Sequence, residues 1–276
     1  MTTRGGAPQS PARIGGHGVL AADWHTHTDF SDGTDGLPDV VRAAGRAGLR
    51  TLCVTDHVRR GTRWLPEYTR AVREADRGAG PLRVVCGVEA KMLDTAGRLD
   101  LPGDLTGVQH VAVADHRFPL PGGPADPGDV RERLAHGLLT AEQALEALTD
   151  ATVAALHAVP AGRTRHLAHL FSILPKAGLR EEDVGARRLA RIAEACRRTG
   201  AAVEANEKWC CPGPATLAAL HGHGVRLIAG SDAHTAAAVG AWTYAATVLD
   251  PSGTASRQTC AQAPPGPAAP RGRRRR

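Results

Sequence analysis

Seven short apolar runs in this chain are each followed within two residues by His, Asp or Glu. Short runs rich in Val, Leu and Ile that alternate with helical patterns are typical of buried parallel strands in an α/β fold. In a barrel of such strands, the carboxyl ends converge on the face that carries the chemistry. The pattern therefore predicts a ring of metal-binding side chains on one face of a barrel. The runs are 19–24 before His25 and His27, 49–55 before His57, 82–88 before Glu89, 108–114 before Asp115 and His116, 167–168 before His169, 201–203 before Glu204 and Asn206, and 225–230 before Asp232 and His234.

The length of 276 residues suits one large α/β domain, since single barrels often reach this size. Aromatic residues make up only 3% of the chain, so Leu, Val and Ala must supply most of the core. We predict one barrel over residues 19–250. The flanking segments 1–18 and 251–276 are rich in Gly, Pro, Ala or Arg, and we expect them to be disordered.

The net charge of +6 could indicate a nucleic-acid-binding protein, but the basic excess lies in the flanking segments. Residues 1–18 and 251–276 hold eight Arg and no acidic residue, which leaves 26 basic against 28 acidic residues in the body. Such a body lacks the basic surface that binds a polyanion. We therefore expect no nucleic-acid partner and interpret the Arg-rich end as a solvated tail, with a nucleic-acid arm as the alternative.

The compartment is predicted from cysteine usage and from apolar segments. Six cysteines are scattered without paired spacing, which argues against a disulfide framework. No apolar stretch approaches the roughly 18 residues that cross a bilayer, and the N-terminus lacks the apolar part of a secretory signal. We expect a cytoplasmic protein without membrane association.

Helix signals divide the predicted strands. Apolar periodicity with Gly and Pro at the ends predicts helices over 38–47, 66–77, 181–199 and 214–223. Thr140 and Gln143 form the pattern of a capping box at the start of another helix. Residues 117–139 hold many Pro and Gly and are predicted to form a long functional loop on the ligand face. Residues 242–249 are predicted as a last strand or arm.

Two pairs of candidate ligands are spaced two residues apart, His25 with His27 and Asp232 with His234. Residues two apart lie on the same side of a strand, so both members of a pair can reach one ion. Either pair alone is equally well explained by core histidines. Six of the 13 histidines, however, directly follow predicted strands, and a shared ligand role explains them together.

In combination, these motifs resemble the PHP (polymerase and histidinol phosphatase) domain hydrolases. The resemblance runs in the family's order over about residues 20–245, and it implies a distorted seven-stranded (β/α) barrel with up to three divalent metals, Zn, Mn or Fe, at the carboxyl face. The matching pieces are Asp23-Trp24-His25-Thr26-His27, Ser31-Asp32-Gly33, Thr55-Asp56-His57, Gly87-Val88-Glu89, Asp115-His116, Leu167-Ala168-His169, Glu204-Ala205-Asn206 and Gly230-Ser231-Asp232-Ala233-His234.

The resemblance also implies a division of the ligands among the ions. His25, His27, Glu89 and Asp232 would hold one metal; Glu89 would bridge to a second held by His116 and His169; Asp32, His57 and His234 would hold the third.

Three positions in this assignment need comment. Some family members have His where this chain has Asp32, so the third ion can bind differently here. His110 is the alternative to His116, and the flanking residues favour His116. His166 would face away from His169 on a regular strand, and we expect it to be structural.

Such a cluster suits the hydrolysis of phosphate esters, because these anions repel hydroxide. Divalent ions bind the phosphoryl oxygens and lower the pKa of bound water from about 15.7 towards about 7. The resulting metal-bound hydroxide would attack phosphorus, with Asp232 or His234 handling a proton.

Basic residues after the predicted strand ends are candidates for binding the substrate anion. They are Lys91, Lys208, Arg59 and Arg63, with Arg60 beside them. Lys91 and Lys208 closely follow matched motifs, whereas the arginines are better explained as solvated loop charges.

The sequence therefore predicts a metal-dependent hydrolase that cleaves a phosphate monoester of a small metabolite, such as a histidinol-phosphate-like compound, a sugar phosphate or a nucleoside monophosphate. The alternatives are a phosphodiesterase or amidohydrolase with the same metals, or a noncatalytic metal-stabilised accessory domain. Every predicted ligand position holds a ligating residue, which argues against the last alternative.

Deleting residues 251–276 should leave hydrolysis of a small phosphomonoester unchanged, because the tail carries none of the predicted ligands. The check is a comparison of kcat/KM between the truncated and full chains. Lost activity in a truncated chain with a wild-type circular dichroism spectrum would contradict the interpretation of this segment as a solvated tail.

Overall fold

A computed structural model describes residues 18–250, so the predicted disordered segments lie outside the described residues except for Gly18. Nine strands and seven α-helices occur in this range. The strands are β1 Ala22–Thr26, β2 Thr51–Val54, β3 Arg83–Lys91, β4 His110–Ala114, β5 Phe118–Leu120, β6 Gly123–Ala125, β7 Thr164–Leu167, β8 Ala202–Asn206 and β9 Arg226–Gly230. The helices are α1 Leu37–Arg46, α2 Leu65–Gly78, α3 Pro127–Ala135, α4 Ala141–Ala158, α5 Gly185–Thr199, α6 Pro214–Gly222 and α7 Tyr244–Leu249.

Seven of these strands form one parallel sheet in the order β1-β2-β3-β4-β7-β8-β9. Its two edge strands meet at their carboxyl ends and nearly close a barrel. The His27 amide donates to the Ala233 carbonyl (2.8 Å), and the Asp232 amide donates to the His25 carbonyl (2.8 Å). The closure thus lies among the predicted ligands, and the predicted distorted (β/α)7 barrel is confirmed.

Side-chain size differs between the two faces of the barrel strands. Along β4, Val111 and Val113 pack into the large core beneath the helices. Ala112 and Ala114, on the alternate face, form a separate small cluster with Ala168. Small side chains in the barrel interior leave volume for the polar side chains that point into it.

Tyr68 anchors α2 to the barrel. Its side chain is fully buried, and its hydroxyl lies 2.8 Å from the carbonyl oxygens of both Val54 and Gly87. The end of β2 and the middle of β3 are therefore held together just before the two strands deliver His57 and Glu89.

The predicted helices are present with small differences at their ends. The capping box at the start of α4 is confirmed, because the Gln143 amide donates to Thr140 Oγ1 (3.1 Å) and the Thr140 amide donates to Gln143 Oε1 (2.9 Å). Residues 181–184 form a 3-10 turn rather than the first turn of α5.

Two predictions for the irregular segments are wrong. Residues 117–139 do not form a long loop: β5 and β6 make an antiparallel hairpin, and α3 follows it. Buried Phe118 and Leu120 anchor the hairpin, and Pro127 occupies the first turn of α3, where its missing amide hydrogen costs nothing. Residues 242–249 are not a strand, because most of this segment forms α7.

Within residues 18–250, no helix is both long enough and apolar enough to cross a membrane.

A buried histidine pair lies inside the barrel near the amino end of β4. His110 Nε2 is 2.6 Å from His166 Nδ1, and His110 Nδ1 is 2.7 Å from Thr164 Oγ1. The Trp24 ring lies 5.2 Å from the His110 ring, centroid to centroid. Burial, followed by the positive charge of Arg226, lowers the pKa of His110 from 6.5 to about 3.

Replacing His110 by Gln should reduce the loss of stability on acidification. Unfolded chains protonate His near pH 6.5, whereas folded His110 resists protonation down to about pH 3. Protonation of His110 in the unfolded chain therefore lowers the free energy of unfolding as the pH falls below 6.5. Between pH 6.5 and 5, this residue should lower it by about 1.5 kcal/mol. Urea unfolding of the metal-depleted protein at several pH values measures the difference.

The control is His136→Gln, because His136 is exposed at the end of α3 and lies outside the buried histidine pair. An H110Q variant that keeps the wild-type dependence of unfolding free energy on pH would contradict this account.

Candidate metal centre

Glu89 lies at the centre of the carboxyl face, with its side chain only 1% exposed. Its Oε1 is 3.0 Å from both His116 Nε2 and His169 Nε2. Its Oε2 is 2.8 Å from His57 Nδ1 and 3.5 Å from His25 Nε2. A carboxylate with histidines at both oxygens has the arrangement of a bridging ligand.

A first group of ligands lies where β1 meets β9. The Nε2 atoms of His25 and His27 are 3.0 Å apart, as their two-residue spacing predicts. Asp232 Oδ1 lies 3.4 Å from His27 Nε2 and 4.0 Å from His25 Nε2. These three residues could hold one metal ion.

A second group surrounds Asp32 at the rim of the barrel. Asp32 Oδ2 lies 3.3 Å from His57 Nε2 and 3.4 Å from His234 Nε2, and Asp32 Oδ1 lies 3.7 Å from His27 Nδ1. The same four residues could hold an ion. His57 faces Asp32 with one ring nitrogen and Glu89 with the other, so it connects this group to the bridging carboxylate.

A turn after β1 brings Asp32 to this position. The buried Asp56 carboxylate accepts hydrogen bonds from Ser31 Oγ (2.6 Å) and from the amide and hydroxyl of Thr28 (2.9 and 2.7 Å). Gly33 packs against the preceding backbone so closely that a Cβ would lie 2.8 Å from the carbonyl carbon of His27. Only glycine therefore fits there without moving the turn.

Two candidate ligands have backbone conformations that L-residues rarely adopt. His169 has φ 30° and Asp232 has φ 53°. Such conformations persist only where surrounding contacts enforce them, and they concentrate at functional sites. Both residues directly follow barrel strands, where a positive φ turns the side chain into the site.

The carboxylates of the site remain ionised despite burial. Burial raises the pKa of Glu89, but its interactions with His116, His57 and His25, including a hydrogen bond with His116, outweigh it and hold the pKa well below its usual range. Burial likewise raises the pKa of Asp232, but the charge of His25 and a hydrogen bond with His27 outweigh it and lower the pKa.

The histidines divide into two classes. Burial lowers the pKa of His27 to about 4 and also lowers that of His116, so both are neutral at pH 7 with a lone pair available. For the other three, burial is outweighed by carboxylates: the pKa is raised well above 6.5 for His25, to about 9 for His57 and to about 10 for His169. A metal would compete with protons at these three rings.

The donor set fits divalent metal ions. Glu89 Oε2 and the Nδ1 atoms of His27, His57 and His116 are buried and form no hydrogen bond of regular geometry among the described residues, although Glu89 Oε2 and His57 Nδ1 lie only 2.8 Å apart. Buried polar atoms normally have partners, and converging lone pairs of nitrogen and oxygen are what a cation satisfies. Imidazole and carboxylate ligands suit Zn, Mn and Fe.

A second layer of polar side chains orients the candidate ligands. Asp115 Oδ1 lies 3.2 Å from His169 Nδ1, the Trp209 indole donates to Asp232 Oδ2 (3.0 Å), and Glu204 contacts His25 Nδ1 (3.1 Å). Carboxylates behind ligating histidines set the tautomer and the ring orientation.

Of the two histidines on the fourth predicted strand, the structure places His116 beside Glu89, whereas His110 lies at the other end of β4. His166 differs from expectation. It does not face away from the site but lies inside the barrel, 3.8 Å from Glu204 Oε2. The reason is that β7 ends at Leu167 and the positive φ of His169 breaks the strand alternation.

The predicted anion-binding residues lie in different positions relative to the cluster. Lys208 Nζ is 3.4 Å from Asp232 Oδ1 and 3.1 Å from His234 Nδ1. Lys91 is half-buried at the end of β3, and Arg59 and Arg63 are exposed in the loop after β2. No hydrogen bond or ion pair between described residues joins these last three side chains to the cluster.

Sequence reasoning missed Lys176, which lies in a 3-10 turn after His169. Its Nζ lies 4.0 Å from the centre of the Trp209 ring, and burial lowers its pKa. Its segment has no strand-end position or periodicity that would have indicated a role. Glu204 and Asp115 were part of the matched motifs, but only their contacts show what they do.

A barrel of parallel strands with clustered His and carboxylate side chains at the carboxyl ends is an architecture of metal-dependent hydrolases. The profile of the PHP domain family matches residues 23–208, and the chain belongs to this family. The family and the enzyme class predicted from the sequence, a metal-dependent phosphoesterase, are thereby confirmed.

Solved structures share the fold. A histidinol phosphate phosphatase from Lactococcus lactis, complexed with Zn, L-histidinol and phosphate, is 18% identical, with 84% of this chain and 93% of that chain covered and a TM-score of 0.59. A Listeria monocytogenes structure designated as a histidinol phosphatase is 16% identical, with 79% and 97% covered and a TM-score of 0.61. Among curated proteins, none matches this chain.

Replacing Gly33 by Ala should displace Asp32 and lower the metal content of the protein. The added Cβ meets backbone atoms of His27 and Thr28 at 2.8 Å, and backbone cannot yield as a flexible side chain can. Overpacking of this kind costs about 1–3 kcal/mol of unfolding free energy. Metal analysis after equilibration with zinc, together with urea unfolding, measures both effects.

The matched control is Gly61→Ala in the neighbouring loop, where a Cβ would meet no atom within 4 Å. Wild-type metal content in a folded G33A protein would show that Asp32 is not a ligand.

Proposed function

We propose that this protein hydrolyses a phosphate monoester of a small metabolite, such as a histidinol-phosphate-like compound, a sugar phosphate or a nucleoside monophosphate. The observation that carries the proposal is the buried carboxylate of Glu89, which has histidines at both oxygens. An arrangement that holds more than one divalent ion side by side suits a reaction in which the substrate, the nucleophile and the leaving group are all anionic.

The residues that would hold the ions fall into three overlapping sets. His25, His27, Glu89 and Asp232 form one set, Glu89 with His116 and His169 a second, and Asp32, His57 and His234 a third. Zn, Mn or Fe bound there would polarise the phosphoryl oxygens and make a nucleophilic water available near pH 7.

The chain itself contributes charge and proton transfer at the edge of the cluster. Lys208 Nζ is positioned to contact a phosphoryl oxygen, since it lies 3.4 Å from Asp232 and within reach of the site. The His234 Nδ1 hydrogen is donated to the Asp232 carbonyl (2.8 Å), so Nε2 faces the cluster. Asp232 Oδ1, which lies 3.4 Å from both His27 Nε2 and Lys208 Nζ, is the proposed proton acceptor, while Oδ2 accepts a hydrogen bond from the Trp209 indole.

A small substrate agrees with the charge distribution. Residues 19–250 have a slight acidic excess, which does not attract a polyanionic polymer. Lys208 and Lys176 place two ammonium groups near Asp232 and Trp209. Lys91, Arg59 and Arg63 are retained as candidates for contacts farther out on the substrate.

Replacing Asp232 by Asn should lower kcat/KM for a phosphomonoester by about 100-fold or more, because the variant loses a metal-facing charge and the proton acceptor. The measurement is phosphate release from a panel of histidinol phosphate, sugar phosphates and nucleoside monophosphates. The protein is reconstituted separately with Zn, Mn and Fe, and its metal content is determined on the same samples.

The matched control is Asp129→Asn, an exposed position in α3, which should keep full activity. A metal-loaded wild type that releases no phosphate from the panel but cleaves a phosphodiester or an amide would replace this proposal with the corresponding alternative. Bound metal with no turnover of any of these bonds would indicate a noncatalytic domain.

A further inference from the structure

Glu204 is fully buried inside the barrel and accepts hydrogen bonds from three groups. Both of its oxygens lie 3.1 Å from His25 Nδ1. Oε2 also accepts from the backbone amide of His169 (2.8 Å), and Oε1 accepts from Asn206 Nδ2 (3.1 Å). A buried carboxylate is costly unless its lone pairs are satisfied, and here all its close partners are donors.

Asn206 extends this contact towards the opposite side of the cluster. Its Nδ2 donates to Glu204, while its Oδ1 accepts from the backbone amide of Trp209 (2.8 Å). The Trp209 indole in turn donates to Asp232 Oδ2 (3.0 Å). One chain of hydrogen bonds therefore runs from His25 through the strand β8 to Asp232.

Glu204 determines which nitrogen of His25 faces the cluster. An Nδ1–H that donates to the carboxylate leaves Nε2 as the nitrogen directed at His27 and Glu89. The backbone bond to His169 acts in the same direction, because it secures a residue with φ 30°. Loss of the carboxylate would release both constraints.

The space for Glu204 depends on a glycine. A Cβ at Gly230 would lie 1.8 Å from Glu204 Oε1 and 2.9 Å from His25 Cβ. No other residue can replace Gly230 without displacing the carboxylate. The missing side chain at Gly230 thus provides the space in which the Glu204 carboxylate contacts His25.

We propose that Glu204 and Asn206 are positioning residues for the metal cluster. Glu204 holds His25 in the tautomer whose Nε2 binds metal and secures His169, and Asn206 couples Glu204 to the loop that orients Asp232. This inference rests on the proposed function, since it assumes that the cluster binds metal. The role of Glu204 and Asn206 does not depend on which substrate the protein hydrolyses.

Replacing Glu204 by Gln tests the role with almost no change in volume. In either orientation, the new NH2 group faces His25 Nδ1 together with a donor on Asn206 or His169. The remaining amide oxygen still lies beside His25 Nδ1, so the variant keeps one acceptor there, but it loses the negative charge that favours a proton on Nδ1 and places an NH2 group among donors. Disturbing such second-layer carboxylates typically costs 10- to 100-fold in metal affinity, and we expect about that loss for E204Q.

The experiment is a zinc competition titration against a chromophoric chelator, with far-UV circular dichroism of the metal-free proteins. Glu207→Gln is the matched control, because Glu207 lies three residues away and accepts from the backbone amides of Thr243, Tyr244 and Ala245 rather than from a ligand. We expect E207Q to bind zinc as the wild type does.

Each outcome decides the proposal. A folded E204Q protein with wild-type zinc affinity would overturn it, and so would an equal loss of affinity in E207Q. If E204Q does not fold, the variant Asn206→Asp decides instead. It keeps the acceptor for the Trp209 amide but replaces the donor to Glu204 by an oxygen that repels the carboxylate. Weaker zinc binding by folded N206D supports the proposal, and unchanged zinc binding overturns it. A wild type that binds no zinc, manganese or iron would instead refute the proposed function.

Discussion

The burial of one carboxylate, Glu89, determines how the rest of the site is arranged. A carboxylate at 1% exposure is costly unless positive charge or hydrogen-bond donors surround it. Here the compensation comes from histidines delivered by strands on both sides of β3. His57 follows β2, His116 follows β4 and His169 follows β7, so the barrel must bring these strand ends together for Glu89 to remain ionised. The same convergence is what a bound metal would use.

The barrel interior is lined by small apolar side chains, which leave space for polar side chains. Small residues such as Ala112 and Ala168 line the inside, while the larger aliphatic side chains pack outside against the helices. Gly230 removes even the Cβ where Glu204 must fit. The backbone conformations of His169 and Asp232 impose a further cost, and local hydrogen bonds to Glu204 and Trp209 offset it. Stability therefore comes mainly from the outer layer, which leaves the inner layer available for chemistry.

Two lysines lie beside Asp232 and Trp209 at the edge of the candidate site. Lys208 contacts Asp232, and Lys176 lies over the Trp209 ring whose indole hydrogen is donated to the same aspartate. One aromatic residue thus connects two ammonium groups with a candidate metal ligand. This local arrangement, rather than the overall net charge, places positive charge beside the candidate ligands, since the Arg-rich segment that makes the chain basic lies outside the described residues.

The sequence by itself indicated that the candidate ligands share one face, because they follow apolar runs and the carboxyl ends of strands converge in a parallel barrel. The two-residue spacing of His25 and His27 predicted that both face one side of the strand, as their contact shows, and the capping box of α4 is a local interaction that needs no tertiary contact. Only the tertiary structure decided the rest. The long-loop prediction for 117–139 failed because Pro and Gly also suit hairpin turns and helix starts, and burial selects among these. The expected opposite orientation of His166 and His169 failed because His169 leaves the regular strand geometry. The roles of Lys176, Glu204 and Asn206 depend on contacts between residues far apart in the chain. Local sequence patterns do not contain the distances between such residues.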